Sequence, residues 1–412
     1  MPQLPLRTQI LKALKRPLLP VRGGLRKALR RWKRKRAAYL RKLTNESNFP
    51  KGGIPSIGAA TKDSARADLP IRVLVDPPSA IHFYPSRAVH ETGMLPYIRD
   101  TLHQEPATFV ASIPDGRVWG SCAAVISPDG FLVEDLSKQM EPASILTHRI
   151  FERVQLPPVD RIEATVAVLL TEGSANYFHW MCEAAPRYGL LQEAFPHASV
   201  DFYAVPKPLL KFHREVLAKL GVAEEKLLLV DDSVHIQARR LLVPSISGGG
   251  CATARACRFL RELFPRVNTR PPSRRIYISR KSSIYRRVID EDTLIAFLSS
   301  YGFEAVALEG KSVAEQAAVF AEAEVVVGPH GAGMTNLIFC TPGSAVIELF
   351  SPYYVNPCYW TIPHEVGLKH FHLAGGENHS ERGFDPEMGE VDIEVNYSEL
   401  KALLKKAGID PR

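Results

Sequence analysis

The stretch Val325-Val326-Val327-Gly328-Pro329-His330-Gly331-Ala332-Gly333-Met334-Thr335-Asn336 decides how this chain is read. Consecutive β-branched residues in an apolar run mark a strand buried on both faces. That strand passes directly into a turn with two glycines, and then into a segment over 331–339 patterned as a helix. Open α/β sheets take their ligands at the carboxyl ends of their strands. Gly331 and Gly333 allow close backbone approach, and a helix N-terminus presents free N–H groups to an anion. The stretch therefore reads as a phosphate-binding turn in which His330 donates to a phosphate oxygen. It is neither the Gly-x-Gly-x-x-Gly fingerprint nor a P-loop. The alternative is a tight turn whose glycines serve packing alone.

On both sides of this turn, strands alternate with helices. Residues 275–279, 303–307 and 345–349 read as strands, and 290–300 as a helix stopped by Gly302. Ser312 with Glu315 forms a capping box that opens a further helix. Such alternation implies a parallel sheet covered on both faces. Glu348 stands eighteen residues after His330 at the end of an apolar strand. An acid there can take the two hydroxyls of a ribose, with Asn336 beside it. Ser279 and Arg280 end the first strand of this half, and Arg286 and Arg287 follow in a loop. Arginine forms bidentate bonds to phosphate, so two or three of these on one cleft wall read as a diphosphate site, with a solvated basic loop as the alternative.

The first half repeats the alternation less regularly. Residues 164–170 form a buried strand, with a helix from about 175. Further strands are expected at 201–205, 227–230 and 240–243, with a helix over 209–220. Residues 118–126 and 130–133 read as strands joined by Ser127-Pro128-Asp129-Gly130. Asn176, His179, Glu183 and Arg187 lie three or four apart, on one helix face. His179 is placed as general base with Glu183 one turn away to orient it. Asn176 and Arg187 fall on the acceptor side, and Pro186 is expected to kink the helix. A polar helix face with a structural histidine fits the same spacing.

The chain of 412 residues carries a net charge of +8, but residues 1–45 hold fifteen Lys or Arg and no acid, leaving 8 − 15 = −7 for the rest. A basic nucleic-acid-binding fold is thereby disfavoured. Ile10, Leu11, Leu14, Leu18, Leu25, Leu29 and Trp32 recur near helical spacing among the basic residues. Pro17, Pro20 and Gly23-Gly24 are expected to break that helix in two. The pattern suits docking on an anionic membrane surface; a solvated tail is the plainer reading and an RNA contact a third. No apolar run is long enough to span a bilayer. Six cysteines show no Cys-x-x-Cys pair, so a zinc site is not expected and the thiols read as small buried apolar groups.

His330-Gly331-Ala332-Gly333 with Asn336 and Glu348, preceded by Ser279-Arg280 and Glu315-Gln316, resembles the catalytic domain of glycosyltransferase family 61. Asn176-Tyr177-Phe178-His179-Trp180 with Glu183 and Pro186-Arg187 is similar to the same family. The resemblance spans about 110–375 and implies a GT-B fold, a sugar-nucleotide donor and inversion at the anomeric carbon. It is closer to bacterial members tied to capsular or surface polysaccharide.

The expected architecture is α/β, with two Rossmann-like domains facing a cleft. A basic tail (1–45) and a linker (46–70) precede a β-rich and Rossmann-like acceptor domain (71–265). A Rossmann-like donor domain (272–395) and a C-terminal helix (396–412) follow. The expected function is inverting, metal-independent transfer of a sugar from a nucleoside diphosphate sugar, UDP-linked, to a glycan hydroxyl. No cofactor or nucleic-acid partner is expected. The expected location is cytoplasmic, peripheral on a membrane face. The rivals are a Rossmann oxidoreductase and a non-catalytic carbohydrate-binding scaffold.

Overall fold

A computed structural model describes residues 19–44, 48–56, 71–82, 102–139, 145–245, 250–268, 270–351, 354–375 and 389–411. Its strands fall mainly into two sheets. The first-half strands are β1 (Gly52–Ile54), β2 (Ile71–Asp76), β3 (Ser79–His82), β4 (Leu102–Glu105), β5 (Thr108–Pro114), β6 (Arg117–Trp119), β7 (Ala124–Ile126), β8 (Phe131–Val133), β9 (Asp160–Val168), β10 (Phe202–Pro206), β11 (Leu227–Val230) and β12 (His235–Pro244). The second half has β13 (Arg274–Ile278), β14 (Phe303–Val306), β15 (Ala323–Pro329), β16 (Ala345–Phe350) and β17 (Lys369–Ala374).

The second sheet is wholly parallel, in the order β14-β13-β15-β16-β17. β16 lies between β15 and β17 and is buried at all six positions, which is why it reads as an unbroken apolar run around Glu348. The chain leaves β13 to one side for β14, then returns to the other side for β15. That reversal opens a crevice at the carboxyl ends of β13 and β15.

The first sheet is mixed. β12, β9, β10 and β11 are parallel neighbours, as a Rossmann-like unit requires. β12 also pairs antiparallel with β6 through its start and with β5 through its end, and β7, β8 and β2 extend those two arms. The expected strand over 118–126 is cut by a turn in which Gly120 (φ 76°) and Ala123 (φ 51°) adopt the left-handed conformation. Ser127 to Gly130 forms the expected hairpin turn, its Oγ bonded to the Phe131 amide. Part of the expected linker is ordered structure, because β1 pairs with β8.

The tail forms one continuous helix, Leu19–Thr44, and is not broken at Gly23-Gly24. Two glycines cost about 1 kcal/mol each against alanine, and the surrounding Leu, Arg, Lys and Ala are good helix formers that offset it. Pro20 sits in the first turn, where its missing N–H breaks no helical bond. Ile10, Leu11, Leu14, Pro17 and Leu18 lie outside the described residues.

The two halves pack on one another through apolar side chains. One apolar cluster runs through Phe178, Trp180 and Met181 of the first and Ile278, Met334, Leu337 and Tyr359 of the second. The element between them begins as Tyr177–His179, passes through one π turn at Trp180–Ala184, and continues as the α-helix Arg187–Ala194. The Ala185 amide reaches the Trp180 carbonyl at 2.8 Å, which inserts one residue into the turn. Sequence periodicity did not show this π turn. Nor did it show β17 or the helix Ala254–Leu263, which Thr253 caps. The expected C-terminal helix runs over Tyr397–Lys406.

Candidate functional site

A cavity of about 390 Å³ opens where the second sheet reverses direction. Ile278, Ser279 and Arg280 line it from the end of β13, Leu308 from beyond β14, and Pro329, Ala332 and Gly333 from the end of β15. Tyr177, Lys211 and Phe212 close it from the first half. Ser279, Arg280, Ala332 and Gly333, all read from the sequence as donor-binding, line this one cavity. Tyr177 and Gln316 enter the sequence reading only within motifs of the family resemblance, without a role, and Lys211 is not singled out there.

Arg280 is the central group. The Glu291 carboxylate accepts from both the Arg280 amide (3.1 Å) and the Tyr277 hydroxyl (3.0 Å), which fixes the end of β13. The guanidinium then reaches back to the carbonyls of Tyr285 (3.2 Å) and Arg286 (3.3 Å). It lies directly over Gly331: a Cβ there would stand 1.9 Å from Arg280 Nη1. Gly331 is extended (φ 170°), so the requirement for glycine is this close approach and not backbone conformation.

Arg286 has φ 52°, a strained conformation for a residue with a side chain. Its Nε donates to the His330 carbonyl (3.2 Å), its Nη1 donates to Gly389 O (2.7 Å), and its guanidinium lies over Tyr354. Neither Arg280 nor Arg286 has a carboxylate within ion-pair distance among the described residues, and burial together with the Arg286 charge depresses the Arg280 pKa. Arg287 is not part of this group, since it points outward and pairs with Asp392 (3.3 Å).

The turn itself differs from expectation. Ala332–Phe339 is a 3-10 helix, not an α-helix. Gly333 packs closely on the cavity wall, where a Cβ would come 2.9 Å from Leu308 Cδ1. His330 does not face a phosphate. It is buried, with Nδ1 2.6 Å from Glu348 Oε1, and its ring packs against Phe350 and Tyr359. Glu348 has no exposed surface, and its other oxygen lies 3.1 Å from His370 Nε2, so it has no face to offer a ribose. Burial drives Glu348 well above the usual carboxylate range and both imidazoles well below theirs. A neutral chain satisfies all three: a protonated Glu348 donates to one imidazole and accepts from the other.

Asn336 is also committed to structure. It is fully buried, accepts from the Tyr177 hydroxyl (2.8 Å) and donates to Gln316 Oε1 (2.8 Å). The assignment of Asn336 and Glu348 to a nucleoside is therefore corrected: Asn336 ties the two halves together, and Glu348 fixes His330. Through that bond Tyr177 is held at the cavity wall.

On the first sheet, His179 Nδ1 lies 2.9 Å from Glu183 Oε2, as the spacing of four predicts. Glu183 is buried and its other oxygen accepts from the Gly250 amide (3.1 Å). The carboxylate is thus held against one imidazole nitrogen and leaves the other for a proton. Asn176 is exposed and caps the helix start through the Phe178 amide. Arg187 is not on an acceptor surface. The extra residue of the π turn rotates it inward, where Nη1 meets the carbonyls of Val168 (3.4 Å), the last residue of β9, and Leu170 (2.6 Å) just beyond it. Burial lowers its pKa to about 9.

Residues 177–347 match the model of the family Glycosyltransferase 61. This class agrees with the fold: a parallel sheet with a cavity beside Arg280 at its reversal point, closed by the start of a helix from the first half. The chain is 30% identical over 111 residues to the EGF domain-specific O-linked N-acetylglucosamine transferase of Drosophila melanogaster, covering 25% of this chain and 21% of that one. It is 41% identical over 56 residues to the beta-1,2-xylosyltransferase RCN11 of Oryza sativa subsp. japonica, covering 14% of this chain and 10% of that one. The chain thus matches about a fifth and a tenth of the length of these relatives. It carries a glycosyltransferase domain of family 61.

Proposed function

We propose that the chain transfers a sugar from a nucleoside diphosphate sugar to a hydroxyl of a glycan or a surface-polysaccharide precursor, with inversion and without a bound metal. The observation that carries this reading is the pair Arg280 and Arg286, two guanidiniums without carboxylate partners among the described residues, at the reversal point of a parallel sheet. Such a pair suits a diphosphate, which needs its charge neutralised both when bound and as it departs. Both named relatives are glycosyltransferases, which favours sugar transfer over hydride transfer for this cavity. The two sheets, each with parallel strands ending towards one seam, fit a GT-B arrangement.

In this reading the diphosphate lies against Arg280 and the 331–333 backbone, and the nucleoside extends along Leu308, Tyr177 and Phe212. The acceptor hydroxyl gives its proton to the free nitrogen of His179. Its oxygen bonds to the anomeric carbon from the face opposite the diphosphate. The anomeric C–O bond breaks, and its electron pair leaves on the diphosphate. Glu183 holds the His179 tautomer and stabilises the imidazolium as it forms. The test is nucleoside diphosphate release across a panel of sugar nucleotides, with thermal shift as the binding readout. Arg280→Ala should abolish donor-dependent stabilisation. His179→Ala should lower turnover about 10²–10⁴-fold with donor affinity retained. A protein that binds donors but never releases nucleoside diphosphate would instead be a carbohydrate-binding scaffold.

A further inference from the structure

The helix Leu19–Thr44 has two opposed faces that the proposed transfer reaction does not use. One faces the body. Arg34 donates to Thr147 O (3.4 Å) and pairs with Glu152 (3.3 Å). Arg41 donates to the carbonyls of Phe151 and Arg153 and stacks on Phe49, and Ala37 between them is 1% exposed. At about 100° per residue, Arg34, Ala37 and Arg41 share one side of the helix.

The opposite side is apolar and open. Leu25, Leu29, Trp32, Arg36 and Tyr39 fall within an arc of about 80°. Leu25 is 67% exposed, Leu29 48%, Trp32 56% and Tyr39 64%, with the Arg36 guanidinium over the Trp32 ring. Exposed Lys33 borders the stripe on one side, and Arg31, Lys35 and Lys42 border it on the other. The helix holds eleven Lys or Arg and no acid. No described helix is long and apolar enough to cross a membrane.

From this geometry we infer that the 25–39 stripe seats the enzyme on an anionic lipid surface, with the helix axis in the membrane plane and the body held above it by Arg34 and Arg41. An apolar stripe between two basic margins matches the boundary between acyl chains and acidic headgroups. A polyanion such as RNA satisfies the basic residues but leaves Leu25, Leu29 and Trp32 in water. A folded acidic protein surface would need pockets for the four bulky groups Leu25, Leu29, Trp32 and Tyr39 along roughly 20 Å of helix. A bilayer accepts both features without shape matching. The inference is independent of the sugar-transfer reading.

Tryptophan fluorescence of the full chain tests it. Of the four tryptophans, Trp119, Trp180 and Trp360 are buried, so Trp32 dominates any response to solvent. Phosphatidylcholine vesicles containing phosphatidylglycerol should bind the protein and shift its emission to the blue. Vesicles of phosphatidylcholine alone should bind it at least about tenfold more weakly, since each basic residue near the surface contributes about fivefold. Trp32→Phe should remove the blue shift and keep most of the binding, whereas Leu25→Ser/Leu29→Ser/Trp32→Ser should lose at least about tenfold in partitioning. An unchanged thermal midpoint confirms folding of both variants. Binding to anionic vesicles without a blue shift, equal partitioning of the triple variant, or a blue shift with polyuridylate but not with vesicles would each overturn the inference.

Discussion

Gly331→Ala is the sharpest probe of the donor site. The new methyl would sit 1.9 Å from Arg280 Nη1 and 2.6 Å from its Cζ. Ordinary contact needs about 3.5 Å, so the guanidinium must retreat by roughly 1.5 Å. The backbone has no objection to alanine, because Gly331 is extended. The group that gives way is the end of a flexible side chain, so the stability cost should stay near 1 kcal/mol. The functional cost should be much larger. A displacement of about 1 Å at a reacting centre can cost about 10²-fold, and removing one donor to a developing anion typically costs about 10²–10³. Turnover at saturating donor should fall by that factor. The assay is nucleoside diphosphate release in a double-mutant cycle with Arg280→Ala. If Gly331 acts by leaving room for Arg280, the double variant should match Arg280→Ala alone. Independent, additive losses, or unaltered turnover in Gly331→Ala, would refute the argument.

Further expectations follow from the same geometry. Tyr177→Phe should cost about 1–2 kcal/mol in denaturant unfolding by leaving the buried Asn336 oxygen unpaired, and should raise the donor KM through the loosened cavity wall. Glu348→Gln should change stability by less than about 1 kcal/mol, because an amide can replace a protonated carboxyl between two imidazoles, while Glu348→Ala should cost about 2–5 kcal/mol; similar losses in both would mean the carboxylate is charged. His148 and His235 are held down to about 4 from an ordinary 6.5, first by burial and then by Arg149 and Arg117 respectively. The unfolded chain therefore binds protons that the folded chain refuses, so their contribution is full above pH 6.5 and is lost as pH falls toward 4; a thermal midpoint unchanged between pH 7 and 4.5 would contradict this. At saturating donor a chelator should leave turnover unchanged, and activity that vanished and returned with added manganese would replace the arginine account with a metal one.

Much of the second half was legible because a parallel sheet buried on both faces writes itself as continuous apolar runs, as 325–327 and 345–349 show. The Ser312–Glu315 capping box and the four-residue spacing of His179 and Glu183 are local, and both hold in the structure. The charge asymmetry of residues 1–45 also needs no tertiary information. What adjacency in sequence could not decide is which polar groups face a ligand and which face one another. Glu348 and Asn336 sit at strand and turn positions that suit a nucleoside, yet long-range partners claim them. His370 comes from β17, and Tyr177 arrives from 159 residues away. Arg187 is turned inward by a π turn, since one inserted residue rotates everything after it by about a quarter turn or more. Arg280 became the centre of the site because the sheet reverses between β13 and β15, placing Gly331 under its guanidinium. The sequence alone therefore determines local form, patterning and charge, because each depends on neighbours in the chain. Tertiary structure decides which polar groups remain free, because a buried group must first be paired and its partner can come from any part of the fold.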